Sequence, residues 1–257
     1  MYLCTVKDIQ PSKTDMRYFI WFSYDGTQYH GWQIQPNGVT VQSELQRALS
    51  MLLREEISVT GAGRTDTGVH ARCMAAHFDT EQPVDAAQLV RKLNGLLHQD
   101  IAVSSIEPVQ ADLHARFSAR ARTYRYYVHT RKNPFLRHYS LEMHYQLDFD
   151  LMNEAGRVLM EYSDFGAFCK AGSDVKTTLC SVTHAQWHPL SEDAWCFEIT
   201  ANRFLRNMVR AVVGTLIEVG RGRMTIDEFR QVIEGGRRTQ AGESMPAKAL
   251  VLENVTY

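Results

Sequence analysis

Asp66 lies in the segment Gly61-Ala62-Gly63-Arg64-Thr65-Asp66-Thr67-Gly68-Val69-His70-Ala71, where one carboxylate and one guanidinium are bracketed by three glycines. Glycine has no Cβ, so the backbone there turns sharply and can approach a ligand closely. Such a loop presents its carboxylate to a pocket with little steric shielding. In a dry pocket a carboxylate stays ionised only when a nearby cation offsets the desolvation that would raise its pKa. Held in that state it can serve as a nucleophile or a base. The spacing excludes two common phosphate binders: no Gly-Lys-Ser/Thr follows, and the glycines do not match a dinucleotide fingerprint. Local chemistry alone also allows a plain turn in which Asp66 accepts hydrogen bonds from its own backbone.

Regular elements must hold that loop in place. Residues 57–60 read as a short strand entering it and 69–78 as the strand leaving it. Arg17–Tyr24 is aromatic and β-branched enough for a strand, and Asp25-Gly26 ends it. Thr40 is placed as an N-cap, because Val41, Leu45, Ala48, Leu49 and Leu52 recur at helical spacing. A helix over 86–97 and a strand over 101–106 complete the first half. In the second, Arg122–Val128 reads as a strand with Arg122, Tyr124, Tyr126 and Val128 on one face and Arg125 and Tyr127 on the other. A helix over 151–161 precedes two strands, 177–189 and 195–201. A helix over 204–219 places Arg203, Arg206 and Arg210 together with Asn207 on its polar arc. Thr225 caps a helix over 226–233, and 249–255 is the last strand. The pattern is an α+β fold of two similar halves, 17–112 and 113–257. Residues 1–16 read as a mobile extension. The aromatic run Tyr29-His30-Gly31-Trp32-Gln33 suits either an exposed stacking loop or packing residues that pin it.

At 257 residues and 44% hydrophobic, the chain is long enough for a large core. No run approaches the ~18 apolar residues of a membrane span, and the N-terminus has no secretory pattern. Five scattered cysteines without a C-x-x-C pair point to reduced thiols and a cytoplasmic protein. The ten histidines show no metal-ligand pattern; His184 and His188 sit four apart in a strand, a spacing that should keep them separate. No cofactor motif and no metal site is expected. Net charge is −1, yet no acid occurs between Asp112 and Glu142, where Arg116, Arg120, Arg122, Arg125, Arg131, Lys132 and Arg137 all lie. Acids are again absent between Glu198 and Glu218, where Arg203, Arg206 and Arg210 occur. Two basic tracts in a neutral chain suggest one polyanion-binding face.

The loop string resembles the signature of the tRNA pseudouridine synthase A family. The resemblance continues through Tyr24-Asp25-Gly26-Thr27-Gln28-Tyr29, Gly31-Trp32-Gln33, Thr40-Val41-Gln42, Arg116-Phe117-Ser118-Ala119 and Arg122-Thr123-Tyr124-Arg125-Tyr126. It ends in Phe204–Arg210 and Ala249-Leu250, so it runs from Arg17 to Tyr257. A departure is Thr67, where the family usually has alanine. The resemblance implies a pseudouridine synthase fold, a central and largely antiparallel sheet with the active-site cleft between two α+β halves. It implies isomerisation of uridine to pseudouridine in the anticodon stem-loop of tRNA, at positions 38 to 40, by a homodimer without cofactor. It makes Asp66 the nucleophile or base and pairs Arg210 with it. Tyr124 would pack on the target base and assist proton transfer, Arg64 would hold the extruded uridine, and Leu250 would wall the uracil. Two competing readings are a non-catalytic RNA-binding protein using the same basic cleft and a ribonuclease built on His70, which lacks a second acid or base.

Overall fold

The computed structural model describes residues 16–173 and 175–257. The expectation for the N-terminal extension lies outside these residues, except that Met16 already opens the first strand. Alternating aromatic and aliphatic residues build β1 (Met16–Tyr24), whose even-numbered side chains Tyr18, Ile20, Phe22 and Tyr24 are buried. α1 (Val41–Leu53) starts at Thr40, whose side chain accepts from the Ser43 amide while the Ser43 hydroxyl accepts from the Thr40 amide. β2 (Val59–Gly61), β3 (His70–Thr80), α2 (Ala86–Leu96) and β4 (Ile101–Pro108) follow. The rest is β5 (Ala121–His129), a two-residue β6 (Leu141–Glu142), α3 (Phe149–Leu159), β7 (Val182–Ser191), β8 (Ala194–Ala201), α4 (Met208–Gly220), α5 (Ile226–Gly235) and β9 (Leu250–Thr256).

One sheet runs through the molecule in the order β4-β1-β3-β9-β5-β8-β7, with β2 on β3 and β6 on β5. Its pairs are antiparallel except for β5 with β6 and β3 with β9, which meet through His70↔Val251 and Ala71↔Leu252. That short parallel seam joins the strands before residue 109 to those after 120. The helices cover one face, against Ile20, Phe22, Met74 and Phe78 on one side of the seam and Tyr124, Tyr126, Leu252 and Phe197 on the other. Strand alternation sends the remaining side chains to the open face. There they pair off: Arg17 with Asp79, Tyr127 with Glu253, Arg125 with Glu198, and Thr123 with Thr200. The mixed α+β architecture and the largely antiparallel sheet agree with the fold implied by the resemblance. Among the described residues no helix is long and apolar enough to cross a membrane.

Three expectations need correction. The helix expected from Phe204 starts only at Met208, because Asn207 adopts a left-handed conformation (φ 67°) and donates through Nδ2 to the Ser244 hydroxyl. Arg203 and Arg206 therefore stand on the preceding turn and do not share a helical arc with Arg210. The strand expected from Thr177 starts at Val182. The expected separation of His184 and His188 also fails, since the two rings lean along β7 until their centroids are 5.9 Å apart.

Candidate active site

The loop carrying Asp66 is held from below by aromatic residues. Trp32 and Tyr29 are buried, so the aromatic run after Asp25 packs and does not stack on solvent-borne ligands. The Trp32 amide donates to the Thr65 carbonyl at 3.2 Å, and the Thr65 and Tyr24 hydroxyls share a buried hydrogen bond of 2.8 Å. Trp32 lies so close beneath Gly61 that a Cβ there would sit 2.5 Å from its ring. A tight turn closes the loop, with the Val69 amide donating to the Asp66 carbonyl at 3.1 Å and Gly68 at φ +76°. That dihedral demands glycine. Gly63 has a negative φ and open space around it, so only Gly61 and Gly68 of the three have a structural need to be glycine.

Arg210 reaches the Asp66 carboxylate from the first turn of α4, with Nη1 3.4 Å from Oδ2. Its Nε donates to the Met245 carbonyl, and the Met245 amide donates back to the Arg210 carbonyl. The guanidinium is thus braced by the segment leading into β9. Both side chains keep access to solvent, 21% for Arg210 and 31% for Asp66. Tyr124 comes from the helix-facing side of β5 and is buried, with Phe204 edge-on at 5.1 Å. Burial pushes its phenol up to about 12, with the Asp66 charge adding to the shift and Arg122 opposing it. Its hydroxyl makes no hydrogen bond to any described residue. Leu250 opens β9, buried and paired with Tyr126, just after Ala247, whose Cβ lies 3.5 Å from where a Gly68 Cβ would be. Arg64 stands apart, exposed and without an ion pair among the described residues. The structure therefore brings Asp66 to Arg210 and places Tyr124 within reach of the Asp66 charge. It sets Leu250 at the neighbouring strand's start and leaves Arg64 free on the rim.

One residue escaped recognition from its type. Arg122 reads as one more cation of the first basic tract, but its side chain is only partly exposed and its guanidinium is engaged by main-chain carbonyls. It donates to the carbonyls of Ala62 and Asn202 at 2.8 Å, Ala119 at 2.9 Å and Arg116 at 2.6 Å. It ties the base of the Asp66 loop to the turn that leads to Arg206. Nothing in the sequence signals this, because all four partners are main-chain atoms. The tract itself divides. Arg125 points to the open face and binds Glu198, and Arg131 faces Asp193 at 3.4 Å. Arg116, Arg120 and Arg206 are exposed and have no carboxylate partner among the described residues. His70 is buried, its Nδ1 accepting from the Gly26 amide and its Nε2 facing the Lys248 carbonyl at 3.0 Å. It ties the start of β3 to the Asp25-Gly26 turn and to the segment leading into β9, and is unavailable for the attack on a phosphodiester that a ribonuclease reading requires.

A cavity of about 800 Å³ opens on the other side of the sheet, lined by Tyr127, Leu136, Tyr139, Leu190 and Val251 and reached by His70, but by none of Arg64, Asp66, Tyr124, Arg210 and Leu250. The Asp66 carboxylate, which precedes β3, and the Arg210 guanidinium of α4 meet away from that cavity, on the helix-bearing side. Comparison with known proteins identifies the family. The model of the tRNA pseudouridine synthase family matches residues 20–118 and 162–257, which include Arg64, Asp66, Arg210 and Leu250, while Tyr124 falls between the two matched segments. A tRNA pseudouridine synthase A of Bacteroides fragilis is 55% identical over 242 residues, covering 94% of this chain and 96% of its own. The one from Bacteroides thetaiotaomicron is also 55% identical over 243 residues, covering 94% and 90%. That of Bacillus subtilis is 40% identical over 246 residues, covering 94% and 99%. With a family match over most of its length and relatives this similar end to end, the chain belongs to the tRNA pseudouridine synthase family.

Proposed function

We propose that the chain isomerises uridine to pseudouridine in the anticodon stem-loop of tRNA, at positions 38 to 40, with Asp66 as the catalytic group. As a member of its family it is an isomerase that acts on tRNA. The reaction breaks the bond from C1′ to N1 of uracil, turns the base and rejoins it through C5. The proton leaves C5 and N1 gains one, so atoms balance with no net redox change. The observation that carries the assignment is the meeting of Asp66 and Arg210 at 3.4 Å across the two halves. The arginine favours the ionised carboxylate, which acts as nucleophile or base. Arg64, free on the rim, binds the phosphate or base of the flipped nucleotide, and Leu250 walls the uracil. Tyr124 packs on the base and, neutral at working pH, donates or relays a proton.

The same reading divides the chain into halves at residues 112 and 113, each contributing one member of the ion pair, and places the protein in the cytoplasm. It also makes the protein a homodimer. The support is the groove on the open face, whose rim leaves Leu190 and Tyr139 about half exposed. A second copy of this chain is the occupant proposed for it. Light scattering at micromolar concentration tests this, a monomer being the contrary result. The activity is tested by tritium release from C5-labelled uridine in tRNA. Release should disappear when the uridines at 38 to 40 are replaced by cytidine, and release that persists unchanged would place the target elsewhere. A non-catalytic RNA-binding protein would release none.

A further inference from the structure

Far from Asp66, at the β7 edge of the sheet, three potential metal ligands converge on the open face. His184 and His188 stand at positions i and i+4 of β7 with Gln186 between them, and Gln186 is registered opposite Glu198 of β8. Regular pleating would keep the imidazoles apart. Here the rings are nearly parallel, at 12°, with centroids 5.9 Å apart. One nitrogen of each histidine and one oxygen of Glu198 all lie within 4.8 Å of one another.

Two further features point to a ligand. Nε2 of His184 is buried and has no hydrogen-bond partner, with Oε1 of Glu198 3.5 Å away. An orphaned buried nitrogen is costly unless something binds it. Glu198 is meanwhile oriented by Arg125, which donates from Nε to Oε2 at 2.6 Å. One carboxylate oxygen is thus engaged and the other is aimed at the histidines, the arrangement by which an outer partner orients a metal ligand. Arg125 also faces Glu253, so its own charge is not left to oppose an incoming cation alone.

We propose that His184, His188 and Glu198 bind a divalent transition metal ion of the zinc class. Two imidazole nitrogens and one carboxylate oxygen, with a position left for water, match zinc's usual ligands. Calcium and magnesium, which prefer oxygen throughout, do not fit. The ligand atoms close around the ion by side-chain rotation, since backbone pairing already fixes both strands. Bound there, the ion staples the outermost strand to its neighbour. The site is remote from the catalytic loop, on the opposite face of the sheet, so it serves stability and not the isomerisation.

The test uses the full chain, stripped with a chelator and titrated with zinc chloride in a calorimeter. One ion per chain should bind with a micromolar dissociation constant. The double variant His184→Ala with His188→Ala should lose at least about tenfold in affinity. Zinc should raise the unfolding temperature of the unaltered protein and not of the variant. The variant's tritium-release activity shows that it is folded. Cobalt(II) in place of zinc should give visible absorption without a thiolate charge-transfer band. Binding no tighter than about 1 mM, unchanged binding by the double variant, or a thiolate band would each overturn the assignment.

Discussion

Asp66 and Arg210 remain partly open to water, and this changes what removing either should cost. A fully buried pair broken on one side costs about 3–5 kcal/mol, whereas exposed pairs are worth about 0–1 kcal/mol. With 21% and 31% exposure the pair falls between these limits. Arg210→Ala should therefore lower the melting temperature by only a few degrees while reducing turnover at least about a hundredfold. Wild-type turnover in that variant would show that the two groups do not act together. Tyr124 permits a sharper separation. Its phenol is pushed up to about 12, chiefly by burial, so it stays protonated across the working range. Tyr124→Phe keeps the ring against Phe204 and removes only the unpartnered hydroxyl. The single-turnover rate should fall roughly ten- to a hundredfold with tRNA affinity unchanged. An unchanged rate would reduce Tyr124 to a packing residue. The rate of the unaltered enzyme should show no tyrosine-dependent loss between pH 7 and pH 10. Asp66 and Arg210 were legible as candidates because the family string places them; the loop's carboxylate and glycines alone also suit a plain turn. Arg122 was not, since its role depends on four carbonyls that any sequence would supply.

The β2–β3 loop owes its shape to an element remote from it in sequence. Trp32 props Gly61 and holds Thr65 through its amide, so Gly61→Ala must displace the indole or the loop. That variant should stay folded and bind tRNA, yet lose most of its activity as Asp66 moves away from Arg210. Retention of full activity would mean that the Trp32 contact does not set the loop. A second element contact carries a pH dependence. His77 of β3 is buried under the segment 109–118, where its Nδ1 accepts from the Ala115 amide. Burial first, then Arg17 and His114, lower its pKa to about 4. The unfolded chain, with an ordinary histidine near 6.5, then binds the proton more readily than the folded one. This contribution is complete above pH 6.5 and is lost as the pH falls from about 6.5 toward 4. Chemical denaturation at pH 7 and pH 5 should show the loss, and His77→Gln should reduce it; an equal loss in the variant would assign it elsewhere. The caps at Thr40 and Thr225 were readable because a cap is a local event. The start of α4 was not, because Asn207 turns left-handed against Ser244, 37 residues away.

Across the molecule, one sheet is closed by two residue pairs between β3 and β9, and the Asp66–Arg210 pair spans the same seam. Strand identity was visible in hydrophobic alternation, but no local pattern reveals that the last strand enters the middle of the sheet. The basic tracts were visible too, though alternation sent Arg125 to the far face, where Glu198 neutralises it. The cations left for RNA, among them Arg64, Arg116, Arg120 and Arg206, are exposed. Affinity for tRNA should then fall steeply as salt rises, with a logarithmic slope of roughly −0.7 to −0.9 per phosphate contact. Arg120→Glu should weaken binding and flatten that slope, whereas Arg131→Glu, whose native side chain faces Asp193, should do less. Equal effects from the two would show that the RNA reaches both faces. The most direct measurement is single-turnover pseudouridine formation by Asp66→Asn with enzyme in excess, beside its affinity for the same tRNA. Asparagine suits a turn as well as aspartate does, so a structural role would leave the rate nearly intact. The charge-dependent role requires that the chemical step vanish while folding and tRNA binding persist. More than about a tenth of the wild-type rate, a barrier increase below ~1.4 kcal/mol, would contradict the assignment of Asp66 as the catalytic group.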